Sequence, residues 1–297
     1  MRILITGASG MLGSALASEL SKKHQVFATG RSDFVTHLKY KSFDLSNSNY
    51  KPLVEWSNPQ LIIHCAAITD AEFCEANSLE AIKINALSVE KLIQCVSEKV
   101  KIIYISSDAV FNLINNKSKE KDYTNPNNVY GKTKEIGEFF ILNSSRSNVI
   151  IVRTTIVGIN FYRKGNSLVE WIINSVNSKR KITLFNDVIF NPISIWDLIK
   201  ELDFLINCET IDFKILHVSG NQNCSKYFFG VELLKALKLN LDYIQKGSIK
   251  DNIKIANKRR DQSIDCSLYQ KKFNRKLPSI KDAIDSIKKN FRNEKRY

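Results

Sequence analysis

Residues Thr6-Gly7-Ala8-Ser9-Gly10-Met11-Leu12-Gly13 follow a short apolar run, Ile3–Ile5, and lead into an amphipathic stretch, Met11–Lys22. A G-x-x-G-x-x-G sequence at a strand-to-helix junction leaves few folds open. Gly7 permits a tight turn, Gly10 lets the backbone approach a pyrophosphate, and Gly13 lets the helix lie close to the strand. Met11 and Leu12 then form the first turn of a helix whose N-terminal N–H groups favour an anion. The feature predicts a dinucleotide-binding βαβ unit.

The rest of the chain extends this pattern. Val26–Ala28, Leu61–Cys65, Ile102–Ile105 and Val149–Val152 are short Ile/Val-rich runs, as expected for parallel strands buried on both faces. Ala81–Ser97 and Val129–Leu142 are amphipathic and of helical length. The expected class is therefore α/β, a doubly wound parallel sheet of the Rossmann kind over residues 1–155. Beyond residue 155 the alternation loosens. Ser167–Asn177, Ile195–Ile206, a segment capped by Ser225 and a last one capped by Ser279 read as helices, and Ile182–Phe185 and Ile215–Val218 as strands. Residues 156–297 are expected to form a smaller α/β substrate lobe, with some segments returning to the first sheet.

Composition excludes several classes. No run approaches the ~18 apolar residues of a membrane span. The strand-like N-terminus lacks the features of a secretory signal, so a cytoplasmic protein with no membrane partner is expected. The six cysteines are scattered, with no C-x-x-C pair, and read as free thiols rather than a metal site. His64 and His217 sit in or beside apolar runs and read as packed histidines. Net charge is +14, concentrated in residues 246–297, which hold 16 Lys/Arg against 6 Asp/Glu. A solvated surface or attraction of anionic small molecules accounts for this. No helix-turn-helix, zinc-finger or RNA-binding signature supports a nucleic-acid partner.

Several further residues fit a dinucleotide. The second strand ends at Thr29-Gly30-Arg31-Ser32, where an Asp or Glu usually meets a free ribose 2′-hydroxyl. Arg31 instead suits a 2′-phosphate, favouring NADP over NAD, unless it stacks on adenine or faces solvent; Asp33 lies close by. Asp44, with Leu45 beside it, can accept from the adenine amino group or cap the next element. Ala66 and Ala67 follow the strand-like run Leu61–Cys65, and their small side chains leave room for a ribose or for close packing.

Tyr130-Gly131-Lys132-Thr133-Lys134 is Y-x-x-x-K on an expected helix, placing both side chains on one face. An ammonium near a phenol stabilises phenolate, and the pair can exchange a proton with a carbonyl or hydroxyl. Ser106 and Ser107 end the strand-like run Ile102–Ile105, and ligands bind at such strand ends in open α/β sheets.

Together these motifs resemble the extended short-chain dehydrogenase/reductase superfamily, and within it the dTDP-4-dehydrorhamnose reductase-like group. The residues carrying the resemblance are Thr6–Gly13, His64–Thr69, Ser106–Phe111, Val129–Lys134, Val152–Thr155, Leu216–Gly220 and Arg259-Arg260-Asp261. The resemblance implies catalysis by Ser107, Tyr130 and Lys134, with Tyr130 and Lys134 also touching the nicotinamide ribose. It implies hydride transfer from NAD(P)H to the keto group of a nucleotide-activated sugar. Thr69, Arg259 and Arg260 are the implied substrate contacts, and helices Ala81–Ser97 and Val129–Leu142 an implied homodimer interface. The group's D-Q-x-G-x-P-T stretch reads Asp187-Val188-Ile189-Phe190-Asn191-Pro192-Ile193 here, and Ala109 stands where Tyr is usual, so the sugar is open. The superfamily also contains epimerases and dehydratases that recycle NAD, and NADP-binding regulatory subunits. Arg31 argues against the first of these, and a complete Ser/Tyr/Lys set against the second.

Overall fold

A computed structural model describes residues 1–31, 37–47, 49–112, 117–160, 167–208, 212–251 and 261–294. The chain divides into two units.

The first unit comprises residues 1–110, 124–153 and 202–216. Its sheet contains β1 (Arg2–Thr6), β2 (Gln25–Gly30), β3 (Lys39–Ser42), β4 (Leu61–His64), β5 (Lys101–Ser107) and β6 (Val149–Thr154). The spatial order is β3-β2-β1-β4-β5-β6, followed by the late strand Ile215–His217 outside β6. Pairing is parallel from β3 through β5. This is the doubly wound order, reversing between β1 and β4. β1, β4, β5 and β6 are buried because helices cover both faces, while the edge strand β3 is not. Leu4, Ile62, Ile102 and Ile151 meet Val89, Leu92 and Ile141 in one core.

The segment Ala81–Ser97 is not one continuous helix. A turn of α-helix, Ser78–Ile82, passes into a π-helical turn, Lys83–Leu87, and then into Ser88–Cys95. Asn85 gives the reason. Its side chain accepts from Ile68 N–H at 2.7 Å and donates to Ile68 O and Thr133 Oγ1 at 3.0 Å each. Those bonds draw the turn toward the loop after β4, and a widened turn is a usual way to accommodate such a pull.

The second unit comprises residues 111–123, 154–201 and 217–297. Short strand pairs, among them Ile182–Phe185 with Ile244–Gly247, are covered by helices Leu168–Asn177 and Lys226–Leu237. Ser167 and Glu170 form a reciprocal cap on the first helix, and Ser225 accepts from Phe228 N–H on the second. Its core gathers Ile172, Ile182, Phe190, Phe229, Leu233 and Ile287. Among the described residues, no helix is long and apolar enough to cross a membrane.

Candidate active site

The loop after β1 has the backbone a dinucleotide needs. Gly7 has φ +68°, and a Cβ there would sit 2.7 Å from the Ala66 backbone. A Cβ on Gly13 would sit 2.2 Å from Gly7 O, so only glycine lets helix Met11–Leu20 start this close to β1. Gly10 is the N-cap, extended and exposed, and the first turn carries no side-chain cap and no acidic residue. Met11 and Leu12 present their N–H groups there without a competing carboxylate. The cradle fits a dinucleotide pyrophosphate on these grounds.

Ala66 and Ala67 leave β4 beside this loop, and Ala66 N–H donates to Thr6 Oγ1 at 3.3 Å. Asp44 is exposed and accepts from Ser46 N–H at 2.8 Å, so it holds its own turn, while Leu45 is buried. Arg31 is exposed, its Nη1 3.4 Å from Glu80 Oε1. Thr69 is exposed ahead of Asp70, which caps Ala71–Ala76. Arg259 and Arg260 lie outside the described residues.

The second cluster sits at the C-terminal end of β5. Helix Val129–Leu142 is capped by Asn128, whose Oδ1 accepts from Gly131 N–H at 2.7 Å, and Glu75 accepts from Val129 N–H at 2.8 Å. A Cβ on Gly131 would lie 2.2 Å from Ala109 O, so glycine here lets the helix lie against the end of β5. That contact brings Tyr130 to Ser107. The phenol is pushed up to about 12 by burial, pulled down by a hydrogen bond with Ser107, and pushed up again by the carboxylate of Asp108. Ser107 Oγ is held from both sides: it donates to Asp108 Oδ1 at 3.0 Å and accepts from Ala109 N–H at 3.1 Å.

The structure separates the two serines. Ser106 Oγ donates to Glu138 Oε1 at 2.5 Å and is committed to the interior. Glu138 is also clamped by Arg153 through contacts of 2.9, 3.2 and 2.6 Å, with both side chains almost wholly buried.

Tyr130, Lys134 and Glu138 form an i, i+4, i+8 row on the helix. Lys134 is buried, with Nζ 4.0 Å from the centre of the Tyr104 ring. Burial drives its ammonium down to about 7, against the opposing pull of Glu138 and Cys65. Sequence reasoning expects Lys134 to lower the Tyr130 phenol. The influences on the Tyr130 phenol are burial, Ser107, Asp108 and Cys74 rather than Lys134, since an amine driven down to about 7 is neutral where a phenol near 12 ionises. The neighbours of Lys134 respond to it: burial and then Lys134 hold His64 down to about 3, and burial pushes the Cys65 thiol up to about 12 despite the ammonium. His64 is a packed residue, with Nδ1 2.9 Å from Thr6 Oγ1.

Sequence reasoning misses Asn85, Glu138 and Arg153. Two signals were available: an Asn within an apolar helix, and a Glu one turn beyond the Y-x-x-x-K. Neither identifies its partner, because Ile68 and Arg153 are distant along the chain.

A doubly wound sheet with a glycine cradle after β1 and a Ser/Tyr/Lys set at the end of β5 defines the short-chain dehydrogenase/reductase class. Within that class, the family described as RmlD substrate binding domain matches residues 1–293. The chain belongs to this family. It is similar to dTDP-4-dehydrorhamnose reductase of Aggregatibacter actinomycetemcomitans, 26% identical over 302 residues covering 97% of this chain and 98% of that protein. It is also similar to methionine adenosyltransferase 2 subunit beta of Bos taurus, 28% identical over 273 residues covering 90% and 80%. Among solved structures it resembles dTDP-4-dehydrorhamnose reductase from Bacillus anthracis in complex with NADP, with TM-score 0.83, 25% identity and coverage of 96% and 98%.

Proposed function

We propose that this chain is a nicotinamide-dependent reductase that converts a keto group of a nucleotide-activated sugar, of the dTDP-4-keto-6-deoxy kind, to an alcohol. The observation that carries this is the placement of Ser107, at the end of β5, beside the first turn of helix Val129–Leu142, which carries Tyr130 and, one turn further on, Lys134. Its setting supports it: the chain aligns end to end with a protein named as such a reductase.

When bound, the nicotinamide supplies a hydride to the carbonyl carbon. Tyr130, which keeps its proton until about pH 12 in the free protein, gives it to the carbonyl oxygen as negative charge develops there. Ser107, fixed by Asp108 and the Ala109 N–H, orients that oxygen. Lys134 holds the nicotinamide ribose hydroxyls and, while charged, favours the phenolate that Tyr130 becomes. Gly7, Gly10, Met11, Leu12 and Gly13 hold the pyrophosphate, and Asp44, Leu45, Ala66 and Ala67 border the adenosine and ribose. Thr69, Arg259 and Arg260 are assigned to the substrate. NADPH is the favoured cofactor, supported by Arg31 after β2 and by the NADP complex of the similar Bacillus anthracis protein.

The similarity to a protein named as an adenosyltransferase subunit favours a second reading, a cofactor-binding subunit without its own turnover. The complete Ser107, Tyr130 and Lys134 set weighs against it. The test is nicotinamide absorbance on mixing the chain, NADPH and a dTDP-4-keto-6-deoxy sugar. Consumption of NADPH is expected. Tight NADPH binding with no consumption on any keto sugar nucleotide would replace the reductase reading with the subunit reading.

A further inference from the structure

We propose that Glu80 and Lys83 set the cofactor preference of this chain, Glu80 by competing with a ribose 2′-phosphate for Arg31 and Lys83 by adding a second cation for that phosphate. This rests on the reading that the chain binds a nicotinamide dinucleotide.

Arg31, Asp44, Ser46, Glu80 and Lys83 line a cavity of about 530 Å³ within the first unit. It lies beside the pyrophosphate cradle. Arg31 directly follows β2, and a Cβ on Gly30 would sit 3.1 Å from Ser9 Oγ in the glycine loop. The cavity therefore occupies the place of the adenosine ribose.

Its charges are balanced, two cations against two carboxylates, and the carboxylates differ. Asp44 is tied to its turn through Ser46 N–H. Glu80 meets Arg31 in a single contact of 3.4 Å between side chains that are 43% and 71% exposed. That is longer than the ~2.7–2.9 Å of a strong charge-assisted bond. An exposed pair of this kind is easily broken.

Two occupants are thereby accommodated. A ribose with a free 2′-hydroxyl can donate to Glu80 while Glu80 keeps Arg31. A 2′-phosphate offers the guanidinium forked, charge-assisted bonds and displaces the carboxylate. Glu80 and Lys83 are three residues apart, on neighbouring positions of the helical surface. Lys83 is exposed and lines the same cavity, so it serves the dianion and has little to offer a hydroxyl.

The test measures NADPH and NADH dissociation constants by calorimetry for the full chain and two variants. Glu80→Gln is expected to tighten NADPH and weaken NADH, raising the ratio Kd(NADH)/Kd(NADPH) by roughly 10-fold, the scale of losing one competing ion pair and one acceptor. Lys83→Met is expected to weaken NADPH by roughly 5-fold and leave NADH unchanged. If Glu80→Gln keeps the ratio within about twofold, or Lys83→Met weakens both cofactors equally, the proposal is overturned while cofactor binding stands. If the unaltered chain binds neither NADPH nor NADH, the underlying reading fails and this proposal with it.

Discussion

Replacing Glu138 by Leu isolates the interaction that underlies the candidate active site. Glu138 accepts from Arg153 at 2.6, 2.9 and 3.2 Å and from Ser106 at 2.5 Å, and it and Arg153 are 2–3% exposed. Removing one side of a buried pair leaves the other charge in a poor solvent and costs about 3–5 kcal/mol. At ~3 °C per kcal/mol for a unit of this size, the melting temperature should fall by roughly 9–15 °C. Glu138→Leu/Arg153→Met removes both charges and should recover about half or more of that loss, since apolar replacement of a whole buried pair is often neutral. Urea and thermal unfolding followed by circular dichroism would give all three values. There is also a chemical consequence. Glu138 opposes the burial that drives Lys134 down, so its removal should take the ammonium below about 7. A loss under ~1 kcal/mol for Glu138→Leu, or a double variant no better than the single one, would show that the buried pair does not support this part of the fold.

A catalytic group needed in its charged form at about 7 loses activity as pH rises through that value, so kcat/KM for NADPH should fall about tenfold per pH unit above ~7. Tyr130, protonated until about 12, should add no second limb below pH 10, and Lys134→Met should be slow and flat; a profile level from pH 6 to 9 would remove Lys134 from this role. Gly13→Ala places a methyl 2.2 Å from Gly7 O and should weaken NADPH binding at least ~10-fold, with unchanged affinity contradicting the cradle. Asn85→Ala leaves the Ile68 N–H and carbonyl without their side-chain partner and should cost about 2–4 kcal/mol in urea unfolding. A cost within experimental error would mean that the turn does not depend on Asn85.

Local features were the most legible. Helix Val129–Leu142 could be read from its periodicity because its cap, Asn128, is adjacent in sequence. The caps at Ser225 and Ser279 were readable on the same ground. The glycine loop was legible because steric demand at Gly7 and Gly13 admits one residue type. Features that depend on distant partners were not. Nothing in Ala81–Ser97 shows that Ile68 and Thr133 will draw Asn85 out of a regular helix. The i, i+4 spacing of Tyr130 and Lys134 gives a shared face, but where an ammonium points depends on Tyr104, which belongs to a neighbouring strand. The choice between Ser106 and Ser107 likewise depended on Glu138, contributed by another element.

Tyr130 is the group on which the proposed reaction depends, and Tyr130→Phe removes one oxygen from it. The most direct measurement is single-turnover NADPH oxidation on a dTDP-4-keto-6-deoxy sugar by the unaltered chain and by this variant, with NADPH affinity measured on both. The variant is expected to be slower by about 10²–10⁴ at unchanged NADPH affinity, the usual size of a general-acid contribution. Equal rates in the two proteins would contradict this role of Tyr130.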